Sequence, residues 1–393
     1  MNDFYLNYPT DILIKNQTHH ILSNSNSLEF HSSLDCYNES PLFNLDFLSK
    51  ELNISKLYIK DESKRFGLNA FKVLGASYAV CKILKKNPEI SIFCAATDGN
   101  HGKAVAWSAK KYNKESVIYV PKETTKLRIK AIEFYGADVH QLDLNYEETC
   151  AYASKKSIEM NWQLIQDTSW KNYEEVPALI MSGYLTHFLE IEKTLCDDDS
   201  SGFDIVFLQS GVGSWAASYI WYCLNRFGMN RPKIVLVEPS ESCGVFQSFT
   251  EDKRISPLGS LDTIMAGLNC GIPSKNAWEI IKNGCDAVIT ISDEDVKSSM
   301  RILYSPKEND PKIISGESGA AGLAGLIKTI NSKSLQDLRA HINLSESSKI
   351  LVFNTASHIF GVDDYGIWKS LDQGTTWIKV PRIDIIVKDV IVK

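Results

Sequence analysis

From residue 42 onward, short apolar runs alternate regularly with segments of helical periodicity. Runs of this length are typical of buried strands, and apolar spacing of three and four residues is typical of amphipathic helices. Strands that are apolar on both faces and alternate with helices form mostly parallel sheets. We therefore predict an α/β fold with open sheets, in which ligands bind beyond the carboxyl ends of the strands. The predicted strands are residues 57–59, 91–96, 117–120, 163–165, 205–208, 234–237, 288–291 and 350–353.

Charge and composition argue against several other classes of protein. The 393 residues carry a formal net charge of -6 and no dense block of lysine and arginine, so we expect no nucleic-acid partner. No apolar run approaches the roughly 20 residues of a membrane span, and the first residues do not resemble a signal peptide. We expect a cytoplasmic protein without a membrane partner. The nine cysteines form no zinc-type cluster, which predicts reduced thiols and no metal, with a Cys243 to Cys270 disulfide as the alternative.

Lys72 lies where a predicted strand gives way to a predicted helix. Helical spacing begins at about Ala70, and Phe71 provides an apolar neighbour. The positive end of the helix dipole and the loss of hydration both disfavour the ammonium form of a lysine. An amine that is partly neutral can form a Schiff base with a carbonyl substrate or with pyridoxal phosphate. A solvated lysine on an ordinary helix is the alternative.

Two glycine-containing loops follow predicted strands. The loop TDGNHG, residues 97–102, suits an anion such as a carboxylate at a helix start, although an ordinary cap and turn has the same composition. The loop QSGVGS, residues 209–214, suits a phosphate at the start of the next helix. It has neither the lysine of a Walker loop nor the third glycine of a dinucleotide fingerprint. Lys72, an anion loop and a phosphate loop in this order support one another.

These motifs resemble those of the fold-type-II pyridoxal-phosphate enzymes, the tryptophan-synthase-β type. Within that group the chain closely resembles the diaminopropionate ammonia-lyases, from about residue 40 to residue 355. The resemblance implies two interleaved open-sheet α/β domains with pyridoxal 5'-phosphate between them. The matching strings are KDESKRFGLNAFKVLG (60–75), TDGNHG (97–102), DLNYEE (143–148), IQDTSWKNYEEVPALIMSGY (165–184), LQSGVGS (208–214), VEP (237–239), LDTIMAGLNCG (261–271) and ISGESGAAGL (314–323).

The resemblance also implies roles for individual residues. Lys72 would carry the cofactor, Asn100 would hydrogen-bond its phenolic oxygen, and Thr355 would face its pyridine nitrogen. The phosphate would be held by Gly211, Val212, Gly213 and Ser214. The substrate, a small amino acid, would be bound by Thr97, Asp98, Asn100, His101 and Asp167.

Asp98 is a departure from the wider fold group, whose dehydratases and synthases usually have a small or hydroxylated residue at this position. Together with Asp167 it suits a substrate that carries a second ammonium group. The resemblance therefore implies α,β-elimination of 2,3-diaminopropionate, D and/or L, to pyruvate and two ammonia. Lys72 would be the base on one face of the α-carbon and Asp98 the base on the other.

Alternatives to this activity remain open. The first is a serine/threonine dehydratase or a β-replacing synthase of the same fold. The second is a non-catalytic descendant that binds an amino acid. Without the resemblance, Asp98 and Asp167 fit cap and turn positions as well as a site. Glu317 and Ser318 fit a helix start as well as a cofactor contact.

The predicted domain organisation has four parts. Residues 1–39 form an N-terminal arm, of which residues 1–30 are expected to be irregular. Residues 40–75 and 171–360 form a larger domain, and residues 76–170 a smaller one. Residues 361–393 form a divergent tail, in which residues 370–377 resemble an Asp-box turn that cannot alone build a propeller. We expect residues 356–368 to lie against the cofactor cleft. We expect a homodimer because fold relatives are commonly homodimers.

Overall fold

The computed structural model describes residues 3–97, 99–195 and 202–357, and three short strands beyond them. The strands are β1 (Phe4–Leu6), β2 (Leu42–Asn44), β3 (Lys56–Asp61), β4 (Ile92–Ala96), β5 (Glu115–Val120), β6 (Asp138–Gln141), β7 (Gln163–Leu164), β8 (Ile205–Gln209), β9 (Lys233–Pro239), β10 (Ala287–Ile291), β11 (Lys349–Asn354), β12 (Phe360–Asp363), β13 (Gly366–Ser370) and β14 (Trp377–Lys379). The helices are α1 (Gln17–Ser23), α2 (Ser27–Ser32), α3 (Asp46–Glu51), α4 (Lys72–Lys86), α5 (Asn100–Lys111), α6 (Lys126–Glu133), α7 (Tyr146–Glu159), α8 (Glu175–Leu195), α9 (Ser214–Phe227), α10 (Gly244–Thr250), α11 (Lys275–Gly284), α12 (Asp293–Tyr304), α13 (Glu317–Asn331) and α14 (Gln336–His341).

Seven strands form a large sheet in the order β1-β10-β9-β8-β11-β3-β2. The five central strands run parallel, whereas β1 and β2 pair antiparallel at the two edges. Every residue of β8 and β10 is buried. Strands that are buried along their whole length are expected where helices cover both faces of a parallel sheet.

Four parallel strands form a small sheet in the order β6-β5-β4-β7. The carboxyl end of β4 leads into α5, and the carboxyl end of β8 in the large sheet leads into α9. Ligands of open α/β sheets bind at such ends. The predicted fold class is confirmed, whereas the predicted domain limits remain a prediction.

The eight predicted strands correspond to β3, β4, β5, β7, β8, β9, β10 and β11. The sequence did not predict β1, β2 and β6. The first two have three residues each, and β6, with the sequence DVHQ, is mostly exposed. Three residues are too few to show a period, and a polar strand gives no apolar run, so periodicity cannot identify these strands.

The N-terminal arm is not irregular, and that expectation was wrong. Phe4–Leu6 pairs with β10, and the helices α1 and α2 follow. Asn16 caps α1 by accepting a hydrogen bond from the His19 amide at 3.0 Å. His31 is buried and hydrogen-bonds with Thr186 of α8 at 2.6 Å. A composition rich in Asn, Ser and His shows no apolar period, but these side chains serve as caps and buried hydrogen-bond partners.

Helices α4 and α8 cross at very short distance, which fixes the position of Lys72. A Cβ atom on Gly75 would lie 2.5 Å from the Tyr184 ring. A Cβ atom on Gly183 would lie 2.4 Å from the carbonyl oxygen of Leu74. Glycine is therefore required on both helices for this close approach of their backbones.

A cluster of four buried charges anchors the turn before α4 to α8. The Arg65 guanidinium donates to Glu62 at 2.7 Å and to Glu190 at 2.7 Å, and Lys60 lies 2.9 Å from Glu190. These side chains are fully buried. Two cations and two carboxylates balance one another, which is the condition for keeping charges inside a protein.

Residues 356–357 follow β11 and lie beside the turn that precedes Lys72. Ala356 bridges to Ala70, and the Ser357 hydroxyl donates to the carbonyl of Ser63 at 3.0 Å. Beyond them, β12, β13 and β14 form a three-stranded antiparallel sheet. The expectation that residues 358–368 pack against the cleft concerns side chains outside the described residues. Residues 371–376 of the Asp-box-like turn also lie outside them.

Two further features bear on the sequence expectations. Cys243 and Cys270 are both free thiols, so the disulfide alternative was wrong. Within residues 3–97, 99–195 and 202–357, no helix has the length and apolar character that crossing a membrane would need.

Candidate active site

A cleft opens where the carboxyl ends of β4 and β8 come together. Apart from Asp98, which lies outside the described residues, every residue that the sequence predicted for the site lines this cleft. The lining residues from that set are Lys72, Thr97, Asn100, His101, Asp167, Gly211, Val212, Gly213, Ser214 and Thr355. The fold has thus brought together residues from four separate stretches of the chain and Thr355 at the end of β11.

Lys72 is the first residue of α4, and its side chain is 21% exposed. Its Nζ donates a hydrogen bond to Oδ2 of Asp167 and lies 5.4 Å from the centre of the Phe71 ring. Burial lowers the pKa of Lys72, but the contact with the Asp167 carboxylate outweighs burial and raises that pKa above its ordinary value. The expectation of a partly neutral amine was therefore wrong for this arrangement, because the sequence did not reveal the carboxylate beside it.

Asp167 follows β7 and is 4% exposed. Burial raises the pKa of its carboxyl, but the ammonium of Lys72 outweighs burial and lowers that pKa to about 2. The backbone carbonyl of Asp167 accepts a hydrogen bond from the Ser214 hydroxyl at 2.6 Å. Asp167 is thus ionised at neutral pH and is held next to both the lysine and the glycine loop.

His101 lies in the first turn of α5 and is 5% exposed. Its Nε2 is 2.8 Å from the carbonyl oxygen of Ile165, so Nε2 carries the hydrogen that this bond requires. Burial lowers the pKa of His101, which keeps the ring neutral. Its Nδ1 is buried, has no hydrogen-bond partner within the described part of the chain, and lies 3.9 Å from Oδ2 of Asp167.

The glycine loop leaves the amino end of α9 open toward the cleft. Gly213, the residue that precedes α9, has a φ of 86°, and no described side chain caps this helix. A Cβ atom at Gly213 would also lie 2.8 Å from Ile281. The uncapped amides at the start of a 14-residue helix attract an anion, and a phosphate is the usual one at such a loop.

Thr355 follows β11 and is buried. Its hydroxyl oxygen accepts a hydrogen bond from Nε2 of Gln209 at 3.0 Å. Since that oxygen already accepts, the hydroxyl hydrogen remains able to donate. The arrangement suits a neutral ring nitrogen, which is an acceptor.

Three further side chains of the cleft have buried oxygens without a partner among the described residues. They belong to Asn69, Gln209 and Asn269. These residues lie within the matching strings, but no role was predicted for them. Buried polar atoms are almost always hydrogen-bonded, so four such atoms in one cleft, counting His101 Nδ1, indicate a polar ligand. Glu317 and Ser318 also line the cleft. With Lys72 and the open end of α9, these residues fit pyridoxal phosphate.

The comparisons with known proteins agree with this geometry. The family model for pyridoxal-phosphate dependent enzymes matches residues 34–351. A diaminopropionate ammonia-lyase of Salmonella typhimurium is 38% identical over 352 residues, which cover 84% of this chain and 87% of that protein. The corresponding enzyme of Escherichia coli is 34% identical over 344 residues, which cover 83% of this chain and 86% of that protein.

A solved structure gives the same result. The crystal structure of the Escherichia coli diaminopropionate ammonia-lyase with an aminoacrylate-PLP azomethine reaction intermediate has a TM-score of 0.82 and 33% identity, and the match covers 90% of this chain and 93% of that one. A match of this extent includes both sheets and the cleft between them. The chain therefore belongs to the pyridoxal-phosphate dependent enzymes and, within them, to the diaminopropionate ammonia-lyases.

Proposed function

We propose that this chain catalyses the α,β-elimination of 2,3-diaminopropionate, D and/or L, to pyruvate and two ammonia, with pyridoxal 5'-phosphate as its cofactor. The observation that carries the proposal is the contact of Lys72 with Asp167 in a cleft that also contains the open end of α9. A reactive lysine, an anion site and a buried carboxylate are the groups that binding and elimination of a diamino acid require.

The residues that would hold the cofactor come from both sides of the cleft. Lys72 would bind its carbonyl carbon, and Ser214 with the amides of residues 211–214 would hold its phosphate. Thr355 would donate a hydrogen bond to its ring nitrogen, and Asn100 would contact its phenolic oxygen. When bound, the cofactor supplies an electron sink that acidifies the α-hydrogen of the amino acid.

The side chains of this chain then control the protons. Lys72 is the proposed base for one face of the α-carbon. The neighbouring carboxylate of Asp167 determines how firmly Nζ of Lys72 holds a proton. The carboxyl of Asp167 stays ionised and stabilises positive charge next to the reacting carbons. Burial of Asp167 and His101 keeps water away and strengthens these interactions. Asp98 remains the proposed base for the opposite face of the α-carbon.

The direct test uses the purified full-length protein with pyridoxal phosphate. Pyruvate and ammonia are measured from D- and L-diaminopropionate, and L-serine and L-threonine serve as comparison substrates. We expect two ammonia per pyruvate from diaminopropionate, at a higher kcat/KM than for either hydroxy amino acid. Lys72→Ala is the control, and it should abolish both turnover and the visible absorbance that is specific to the lysine-linked cofactor.

Three outcomes would contradict this proposal or part of it. Faster release of pyruvate from serine would assign the chain to the dehydratases. Cofactor binding without turnover of any of these amino acids would favour a non-catalytic amino-acid-binding protein. A covalent link to the cofactor at another lysine in Lys72→Ala would show that the assignment of Lys72 is wrong.

The proposal extends to assembly and location. We propose a homodimer, as is common among fold relatives, and a cytoplasmic location. We also retain residues 76–170 as the smaller domain and residues 40–75 with 171–360 as the larger one. Light scattering of the purified protein measures its mass in solution. A mass that corresponds to the monomer would contradict the proposed homodimer.

A further inference from the structure

We propose that Nδ1 of His101 and the carboxylate of Asp167 together bind the second ammonium group of the substrate. His101 would thereby distinguish a diamino acid from a hydroxy amino acid. This inference rests on the proposed elimination of diaminopropionate and assigns its substrate specificity to one atom pair. Both residues are nearly fully buried in the cleft, at 5% and 4% exposure.

The contact with Ile165 fixes which nitrogen of the His101 ring carries the hydrogen. Since a carbonyl oxygen only accepts, the 2.8 Å bond to Ile165 places the ring hydrogen on Nε2. Nδ1 therefore presents a lone pair, and it has no partner among the described residues. A buried acceptor without a donor is costly, so this atom indicates a ligand that donates a hydrogen bond.

The two acceptors are spaced so that one nitrogen can bind both. Nδ1 of His101 and Oδ2 of Asp167 are 3.9 Å apart. A nitrogen placed between them lies within hydrogen-bond distance of both, since such bonds span about 2.8 to 3.0 Å. Two acceptors that face one point need a group with at least two hydrogens. An ammonium has three, whereas a hydroxyl has one and leaves one of the two acceptors unpaired.

The charge of the site also favours an ammonium group. In this structure Lys72 supplies the cation that balances the buried carboxylate of Asp167. A lysine that takes the α-hydrogen must be neutral before it does so, so Asp167 then requires another cation. A second ammonium on the substrate supplies that charge close to the place that Lys72 Nζ occupies.

The chemistry of elimination balances with this arrangement. The base removes the α-hydrogen as a proton, and the electron pair of that bond becomes the second bond between the α- and β-carbons. The β-carbon to nitrogen bond breaks, and its electron pair stays with the ammonium nitrogen. That nitrogen leaves as neutral ammonia, so a site that keeps it protonated also keeps it a good leaving group.

The test compares two ligands that bind but cannot react because they lack an α-hydrogen. They are 2-methyl-2,3-diaminopropionate and 2-methylserine, and the readout is the Kd of each from the visible absorbance of the holoenzyme. We expect the wild type to prefer the diamine, and His101→Leu to reduce that preference about tenfold or more, the effect of losing a hydrogen bond to a charged group. His101→Gln, which offers both a donor and an acceptor, should retain most of it.

His31→Leu is the matched control, because His31 is also buried and its Nε2 lies 3.1 Å from the Leu74 carbonyl, but it does not line the cleft. Its preference should equal that of the wild type. If His101→Leu keeps the wild-type preference, or weakens both ligands equally, the inference is overturned.

A measurement on the wild type does not depend on the folding of any variant. In the 15N spectrum of the histidine-labelled holoenzyme, the bare Nδ1 of His101 should shift as it accepts a hydrogen bond from the diamine. An unchanged resonance at saturation would refute the inference. Failure of the proposed function is distinguished from failure of this inference, because the wild type would then release no pyruvate from diaminopropionate. Normal elimination with an unaltered preference in His101→Leu would contradict only the inference.

Discussion

Replacing Asp167 by asparagine should lower the pKa of the Lys72 amine. In the wild type, burial lowers this pKa and the carboxylate raises it, with the carboxylate prevailing over the ordinary value of 10.5. Asparagine has nearly the same shape but no charge, so the main effect that raises this pKa is lost and burial prevails over the smaller effects of Tyr184 and Cys270. The pKa of Lys72 in Asp167→Asn should then lie below 10.5.

The size of the effect follows from the contact. Two unit charges about 4 Å apart attract each other by about 4 kcal/mol at an effective dielectric constant of about 20, which equals about three pKa units. The Lys72 side chain is 21% exposed, so solvent screens part of this attraction. We therefore expect a fall of about two to three pKa units.

The assay is the rate at which the apoprotein attaches pyridoxal phosphate covalently, measured from neutral to alkaline pH. Borohydride reduction fixes the link, and mass spectrometry identifies the lysine. Only the neutral amine attacks a carbonyl, so the inflection of the rate against pH reports the pKa of Lys72. For Asp167→Asn the inflection should move to lower pH, and the rate at neutral pH should rise.

Glu174→Gln is the matched control, since it removes another lysine–carboxylate pair outside the cleft, with Lys275 at 2.5 Å. Its pH profile should equal that of the wild type. An inflection in Asp167→Asn that is unchanged or lies at higher pH would refute the electrostatic reasoning.

The same pair makes the stability of the apoprotein depend on pH. The raised pKa of Lys72 gives stability that is complete below the ordinary lysine pKa of 10.5 and is lost as the pH rises through the raised value. The lowered pKa of Asp167 gives stability that is complete above the ordinary value of 3.8 and is lost as the pH falls through about 2. Denaturant titrations should show that Asp167→Asn lowers the free energy of unfolding throughout the window between these two ordinary values. A loss confined to one end of that window would contradict the assignment.

Three further predictions concern other parts of the molecule. Gly213→Ala should weaken cofactor binding at least tenfold in equilibrium dialysis. A Cβ atom there would lie 2.8 Å from Ile281, and the backbone φ of 86° disfavours any residue other than glycine. Unchanged affinity would show that the loop does not hold the phosphate. Glu190→Gln should lower the free energy of unfolding by about 3 to 5 kcal/mol, because it unbalances the buried charges. Glu192→Gln in the same helix removes a pair with the partly exposed Arg226 and should lower the free energy of unfolding by about 1 kcal/mol or less. Equal losses in the two variants would contradict a special cost of unbalancing buried charges. Asp98→Asn should reduce kcat for the D isomer far more than for the L isomer, since a base acts only on the face that it reaches, and equal reductions would show that Asp98 only orients the substrate or shapes the loop.

The sequence alone determined the strands that are apolar along their whole length, because that property is local. It determined the start of a helix at Lys72 and the two loops that meet at the cleft, since spacing and glycine content are read within a few residues. It also determined the family, because several matching strings are specific to it. It could not identify β1 and β2, which have only three residues each, or β6, which is mostly polar.

Only the tertiary structure decided the protonation of the site. Asp167 is 95 positions from Lys72, and no local pattern shows that they touch. Because Coulomb interaction depends on the distance between charges in space, the same lysine that its neighbours would make partly neutral is held as an ammonium by a distant carboxylate. The bare Nδ1 of His101 has the same origin, since the Ile165 carbonyl that fixes its ring hydrogen is 64 positions away.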